Sequence, residues 1–198
     1  MTMTPAVTVA GSLHMDFIAA AERLPMPGES LIGSGFTMHP GGKAGNQATQ
    51  LALHGIRTYL VSRVGQDLLG DELRSRLGGR GVCLDYTIVD PERPTGASPV
   101  FVGQDGQYMS IIVPGAAGAL AADDVLRARN IIEASAALVL QLEVPLATSH
   151  LAATLAKRAG ARVILNASPL SDRLVKELRA AMRGLVDTLI VNELEAAR

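Results

Sequence analysis

Residues 137–167 read ALVLQLEVPLATSHLAATLAKRAGARVILNA, and the fold class turns on this stretch. ALVLQLE (137–143) is an apolar run of strand length. PLATSHLAATLAKRAG (145–160) reads as a helix, with Pro145 near its start and Gly160 at its end. RVILNA (162–167) is a second strand. Further toward the C-terminus, SDRLVKELRAAMRG (171–184) is a helix with Ser171 at its N-cap, and VDTLIVN (186–192) is another strand. In the other direction, 123–134 read as helix and DLLGDELRSRLGGRGV (67–82) as a helix with Leu68, Leu69, Leu73 and Leu77 on one side. RTYLVSRVG (57–65) is a strand, and AVTVAGS (6–12) is a buried strand ending in a turn. From Asn46 onward Ala48, Leu51 and Ala52 fall at helical spacing, and Gly55 suits the position after a helix end. Strand and helix alternate, so a mostly parallel sheet covered by helices on both faces is expected. Two β-rich segments, near 13–40 and 95–113, break the rhythm. The second holds Asp105-Gly106, a hairpin signal. The two are expected to pair as a small antiparallel sheet beside the main domain, forming a lid.

The bulk of the sequence excludes several function classes. The chain has 198 residues, enough for one large domain or one domain with a small appendage. Hydrophobic residues make up 48%, so a sizeable core is available; aromatics are only 3% and Trp is absent, so that core must be Leu, Val, Ile and Ala. A net charge of −1 without any Lys/Arg cluster argues against nucleic-acid or membrane-surface binding by charge. Cys83 is the single cysteine, which rules out a disulfide framework within the chain and points to a reducing compartment. It reads as a core residue. The start, MTMTPAVTVAGS, has no signal-peptide pattern, and no apolar run reaches membrane-spanning length. A soluble cytoplasmic protein is expected. His14, His39, His54 and His150 lack metal-ligand spacing, so no zinc site is expected.

Chemistry is concentrated in HPGGKAGNQATQLALHG (39–55). Glycines before a helix offer backbone N–H groups and close approach, which first points to a phosphate. The P-loop pattern fails: Thr37 stands where its first Gly belongs, and Ala44 where it needs a hydroxyl. GGKAGN does not fit a dinucleotide fingerprint either, and the loop does not follow the first core strand. Other polar residues favour a different ligand. Asp16 follows the first strand, in GSLHMD. Glu143, Asn166 and Asn192 each end a strand, and ligands of open α/β sheets sit beyond the carboxyl ends of strands. Each of these also suits a cap or turn. Asp16, Lys43, Asn46 and Glu143, with the N–H groups at Gly42 and Lys43, serve a neutral polyhydroxylated molecule better than a phosphate.

The motifs GSLHMD (11–16), LPMPGES (24–30), HPGGKAGNQA (39–48), VGQDLLG (64–70), QLE (141–143), LNASP (165–169) and VNELE (191–195) come in this order. Together they resemble the ribokinase family, the PfkB-type carbohydrate kinases, and within it the ribokinase branch most. The resemblance implies a doubly wound α/β domain whose β lid also makes a homodimer contact. It implies transfer of the γ-phosphoryl group of ATP to a sugar hydroxyl, with D-ribose the first candidate. His14, Asp16, Gly42, Lys43, Asn46 and Glu143 would contact the sugar. Asn192 and Glu195, in NELE, match the family's N-x-x-E motif near the phosphates and Mg2+, with Glu195 on the metal side.

The chain departs from the family pattern at His14 and at Ala117, where Asn is common. These departures leave the sugar open, and a nucleoside or fructose kinase of the same family is an alternative. The family pattern also continues past N-x-x-E. Its G-A-G-D segment with the catalytic base, most of the adenine pocket and a monovalent-cation site for K+ lie in that later part. The resemblance therefore places the base beyond Arg198 and reads residues 1–198 as the N-terminal portion of such a domain. The rival reading is a non-catalytic sugar-binding or dimerising module. A sheet cut after VDTLIVN is expected to leave an unpaired edge and uncovered apolar faces, and so to aggregate or lean on a partner.

Overall fold

The computed structural model describes residues 5–197. In chain order its first elements are β1 (Ala6–Ala10), β2 (His14–Ala21), β3 (Gly35–Gly41), α1 (Lys43–Leu53), β4 (Arg57–Gly65), α2 (Leu68–Gly79), β5 (Val82–Cys83) and β6 (Thr87–Asp90). They are followed by β7 (Gly96–Gly103), β8 (Tyr108–Ser110), a 3-10 turn at Gly115–Ala119, α3 (Ala122–Arg127) and α4 (Arg129–Ala134). The last are β9 (Ala137–Leu140), α5 (Leu146–Arg158), β10 (Arg162–Asn166), α6 (Asp172–Met182), β11 (Thr188–Ile190) and α7 (Glu193–Ala196).

The main sheet runs β11-β10-β9-β1-β4, with β5 and then β6 pairing successive stretches of β4, and every pairing in it is parallel. From β1 the chain winds outward to β4, then crosses back to β9 and winds the other way to β10 and β11. This is the doubly wound α/β arrangement. Its strands are apolar on both sides because successive side chains point to opposite faces. Ala10, Val61, Leu138, Leu140, Val163 and Leu165 pack on one face with Val125, Ile132, Ala152, Ala153, Ala156, Leu178 and Met182 of α3–α6. Val9, Leu60, Val64 and Val139 pack on the other with Ala44, Ala48, Leu73 and Leu77 of α1 and α2. Small alanines on α5 bring that helix close to the sheet.

The second sheet has the order β3-β2-β7-β8 and covers the carboxyl end of the first. It is mixed, not antiparallel as the sequence led us to expect: β2 pairs with β3 and β7 with β8 in antiparallel fashion, but the central pair β2–β7 is parallel. Both strands leave the main sheet in the same direction, which imposes that sense. The β7–β8 hairpin turns at Gly106, whose φ is +80°, as Asp105-Gly106 predicts.

Local differences have local causes. Helix α1 begins at Lys43, three residues before the expected start, because Gly42 turns the chain at φ +84° and the Gly45 N–H already bonds the Ser12 carbonyl (3.1 Å). The helix expected over 123–134 is split at Ala128, which ends α3 and begins α4. Val125, Ala128 and Ile132 keep one buried face across the break. Leu68 does not join Leu73 and Leu77; it points to solvent from the first turn of α2. Cys83 is only half-buried, on the short β5, and burial raises its thiol pKa. No described helix is long and apolar enough to cross a membrane.

Candidate functional site

β1 and β9 lie side by side, but the chain leaves them toward opposite sides of the sheet. The carboxyl ends of such a pair leave a crevice, and ligands of this fold class bind there. Ser12, just past β1, donates its hydroxyl to Oε2 of Glu143, just past β9. The same oxygen accepts the backbone N–H of Lys43 at 3.0 Å, and Oε1 lies 3.7 Å from Lys43 Nζ. The Glu143 side chain is 4% exposed. One carboxylate thus ties the end of β1, the end of β9 and the start of α1 together.

The glycine pair before Lys43 is explained by what lies against it. A Cβ on Gly41 would run into the carboxyl group of Asp16 on the neighbouring strand β2. Gly42 needs its positive φ, and a Cβ there would come within 2.7 Å of the Ser12 carbonyl oxygen. His14 and Asp16 share one face of β2, with His14 Nε2 3.1 Å from Asp16 Oδ1. Asn46 stands one turn into α1. His14, Asp16, Gly42, Lys43, Asn46 and Glu143 line one cavity of about 260 Å³ beneath the lid.

The structure also supplies cavity residues that the sequence did not reveal. Ser98 on β7 is in register with Asp16, and Tyr108, Ser110 and Ile112 border the cavity from the β8 side. No local pattern marks them; they reach the site through strand pairings that only the folded lid defines. Of the three residues read as strand ends, Glu143 lines the cavity, whereas Asn166 and Asn192 are not among its lining residues. Asn192 and Glu195 cap α7 with each other. Asn192 Oδ1 accepts the Glu195 N–H at 2.8 Å, and the Asn192 N–H donates to Glu195 Oε2 at 2.9 Å.

The electrostatics of the cavity select against an anion. Helix N-termini attract negative charge, and here Glu143 already takes that place. A second carboxylate, Asp16, faces the same space, with Lys43 the ammonium beside them. Hydroxyls suit such a set, because carboxylates accept from them and the amide and ammonium donate. Among the described residues no group of three or more His, Cys, Asp or Glu side chains is placed to hold a metal ion. Asn192 and Glu195 are thus paired with one another, and the described residues assemble no complete Mg2+ site.

A doubly wound α/β sheet with a β lid over a polar cavity at its switch point defines a class of small-molecule-binding domain. The chain belongs to the pfkB family of carbohydrate kinases, whose family model matches residues 4–198. It is 32% identical over 164 residues to a ribokinase of Mus musculus, covering 83% of this chain and 51% of that protein. It is 30% identical over 189 residues to a deoxyribokinase of Salmonella typhimurium, covering 96% of this chain and 60% of that protein. The structure of Arabidopsis thaliana ribokinase complexed with ribose and ATP superposes with a TM-score of 0.79 at 32% identity, covering 98% of this chain and 62% of that one. The chain therefore spans from 51% to 62% of the length of these relatives.

Proposed function

We propose that this chain binds a neutral pentose, D-ribose first, in the cavity beneath the lid, and that it is the N-terminal, sugar-binding portion of an ATP-dependent carbohydrate kinase of ribokinase type. The observation that carries the reading is the placement of Asp16 and Glu143. Two carboxylates face one small cavity, and the helix N-terminus that could have held a phosphate is filled by one of them. Asp16 would accept from two hydroxyls while His14 holds it in place and Gly41 leaves it room. Lys43 and Asn46 would donate to sugar oxygens, and Glu143 would fix Lys43. In the complete reaction the γ-phosphoryl group of ATP passes to a sugar hydroxyl. Asn192 and Glu195 are the residues of this chain proposed to lie toward ATP and Mg2+. The base that takes the hydroxyl proton, and any K+ site, are proposed to lie outside the residues described.

A second reading has its own observation. In it the chain is a non-catalytic sugar-binding or dimerising module, which binds without turnover. Phe36, Phe101 and Met109 stand exposed on the lid, which suits contact with a second copy.

The test is calorimetric titration of the chain with D-ribose, 2-deoxy-D-ribose, D-fructose and adenosine, and a phosphorylation assay with Mg·ATP on the same sample. Saturable D-ribose binding is expected, and Asp16→Ala should weaken it at least about a hundredfold, on the scale of two lost hydrogen bonds to a charged group. Unchanged affinity in Asp16→Ala removes the site assignment. Preference for fructose or adenosine over both pentoses moves the chain to a different branch of the family.

A further inference from the structure

The motif VGQDLLG (64–70) has no part in the cavity, yet its three marked residues meet at one point. Asp67 is the N-cap of α2 and accepts the Gly70 N–H on Oδ1 at 2.8 Å. A cap needs only that bond. Asp67 does more. Its Oδ2 accepts the Thr95 N–H at 2.7 Å, and its Oδ1 also accepts the Thr95 hydroxyl at 2.7 Å. The Thr95 hydroxyl oxygen in turn accepts the Gly65 N–H at 2.8 Å. Thr95 is buried. Its seat is shaped by glycine: a Cβ on Gly65 would collide with the Thr95 N, and one on Gly70 would lie 3.0 Å from the Thr95 Oγ1. The motif is thus a socket built for one residue of a distant segment.

That residue is the root of the lid. Gly96, next in the chain, begins β7 and is in register with His14; Ser98 is in register with Asp16. From Thr95 to Ser98 is three strand residues, about 10 Å. The preceding segment is fixed at its other end too, where Asp90 accepts the N–H groups of Glu92 at 2.9 Å and Arg93 at 3.0 Å and pairs with Arg63 at 3.1 Å.

We infer that Asp67 is a positioning residue, which latches Thr95 into the main sheet and so sets where lid strand β7 presents Ser98 opposite Asp16. The part of this inference that concerns the ligand rests on the sugar-binding reading above; the latch itself does not.

The test separates latch from cap. Asp67→Ser keeps a competent N-cap but has no second oxygen for the Thr95 N–H. In amide hydrogen exchange on the 198-residue chain, residues 95–103 are expected to exchange about tenfold faster in Asp67→Ser, while α2, β9 and β10 keep their wild-type rates. Thr95→Val should repeat the lid effect with Asp67 intact, and Thr95→Ser should restore the wild-type pattern. D-ribose affinity should fall in parallel, by a factor of about three to ten. Unchanged exchange at 95–103, or acceleration confined to α2 or spread evenly over the chain, overturns the latch. Failure of the wild type to bind D-ribose overturns the sugar reading, and the exchange arms still decide the latch.

Discussion

At the scale of single residues, the site depends on what two glycines leave out. Gly41 has an ordinary strand φ, so alanine fits its backbone, but the added methyl would meet the Asp16 carboxyl. Gly41→Ala is therefore expected to keep its thermal midpoint within a few degrees and to lose D-ribose affinity by about tenfold or more, read by denaturation and titration side by side. The sequence made Gly42, Lys43 and Asn46 visible as a helix entrance, and Glu143 visible as a polar end to an apolar strand. It could not show why Gly41 must be glycine, because the reason is a side chain on a neighbouring strand. Nor could it show that Asn192 pairs with Glu195; that depends on a cap formed after the strand ends.

At the scale of elements, the long connection between β2 and β3 is closed by a pair of charges. Arg23 donates twice to the Glu29 carboxylate, and the Met26 N–H adds a third bond at 2.9 Å. The Arg23 guanidinium first, and then the Met26 N–H, lower the Glu29 carboxyl from 4.5 to about 2. A lowered carboxylate supports the folded loop above its unfolded value and loses that support as pH falls. The closure is thus expected to hold above about pH 4.5 and to open on the way to about pH 2, seen as coincident titration of the Glu29 carboxyl and the Met26 amide by NMR. The pair is exposed, so its weight in overall stability is small. The β-rich character of 13–40 and 95–113 was legible from Pro, Gly and the Asp105-Gly106 turn. The parallel sense of β2–β7 was not, since it links segments some eighty residues apart and no local signal carries strand direction.

At the scale of the whole molecule, alternating strand and helix was enough to read a sheet with two buried faces, and both faces are present. The sheet nevertheless has an open side among the described residues. Leu189 and Ile190 of β11 are about half exposed, and a hollow of about 840 Å³ lies against α6, walled by Leu178, Met182 and Leu189. The lid exposes Phe36 at 63% and Phe101 at 40%. If the lid is the contact between copies, Phe36→Ser with Phe101→Ser should convert a dimer to a monomer in sedimentation while leaving D-ribose binding within about threefold. A dimer that survives both changes would point to the β11 side instead.

Tyr108 stands on the rim of the cavity, 70% exposed, at the outer strand of the lid. The chain has no tryptophan. A single indole placed there, as Tyr108→Trp, would be the sole long-wavelength fluorophore of these 198 residues. Its emission would shift only when that rim dries or moves, which turns an accident of composition into an optical gauge of the lid, readable on the millisecond scale of a mixing experiment.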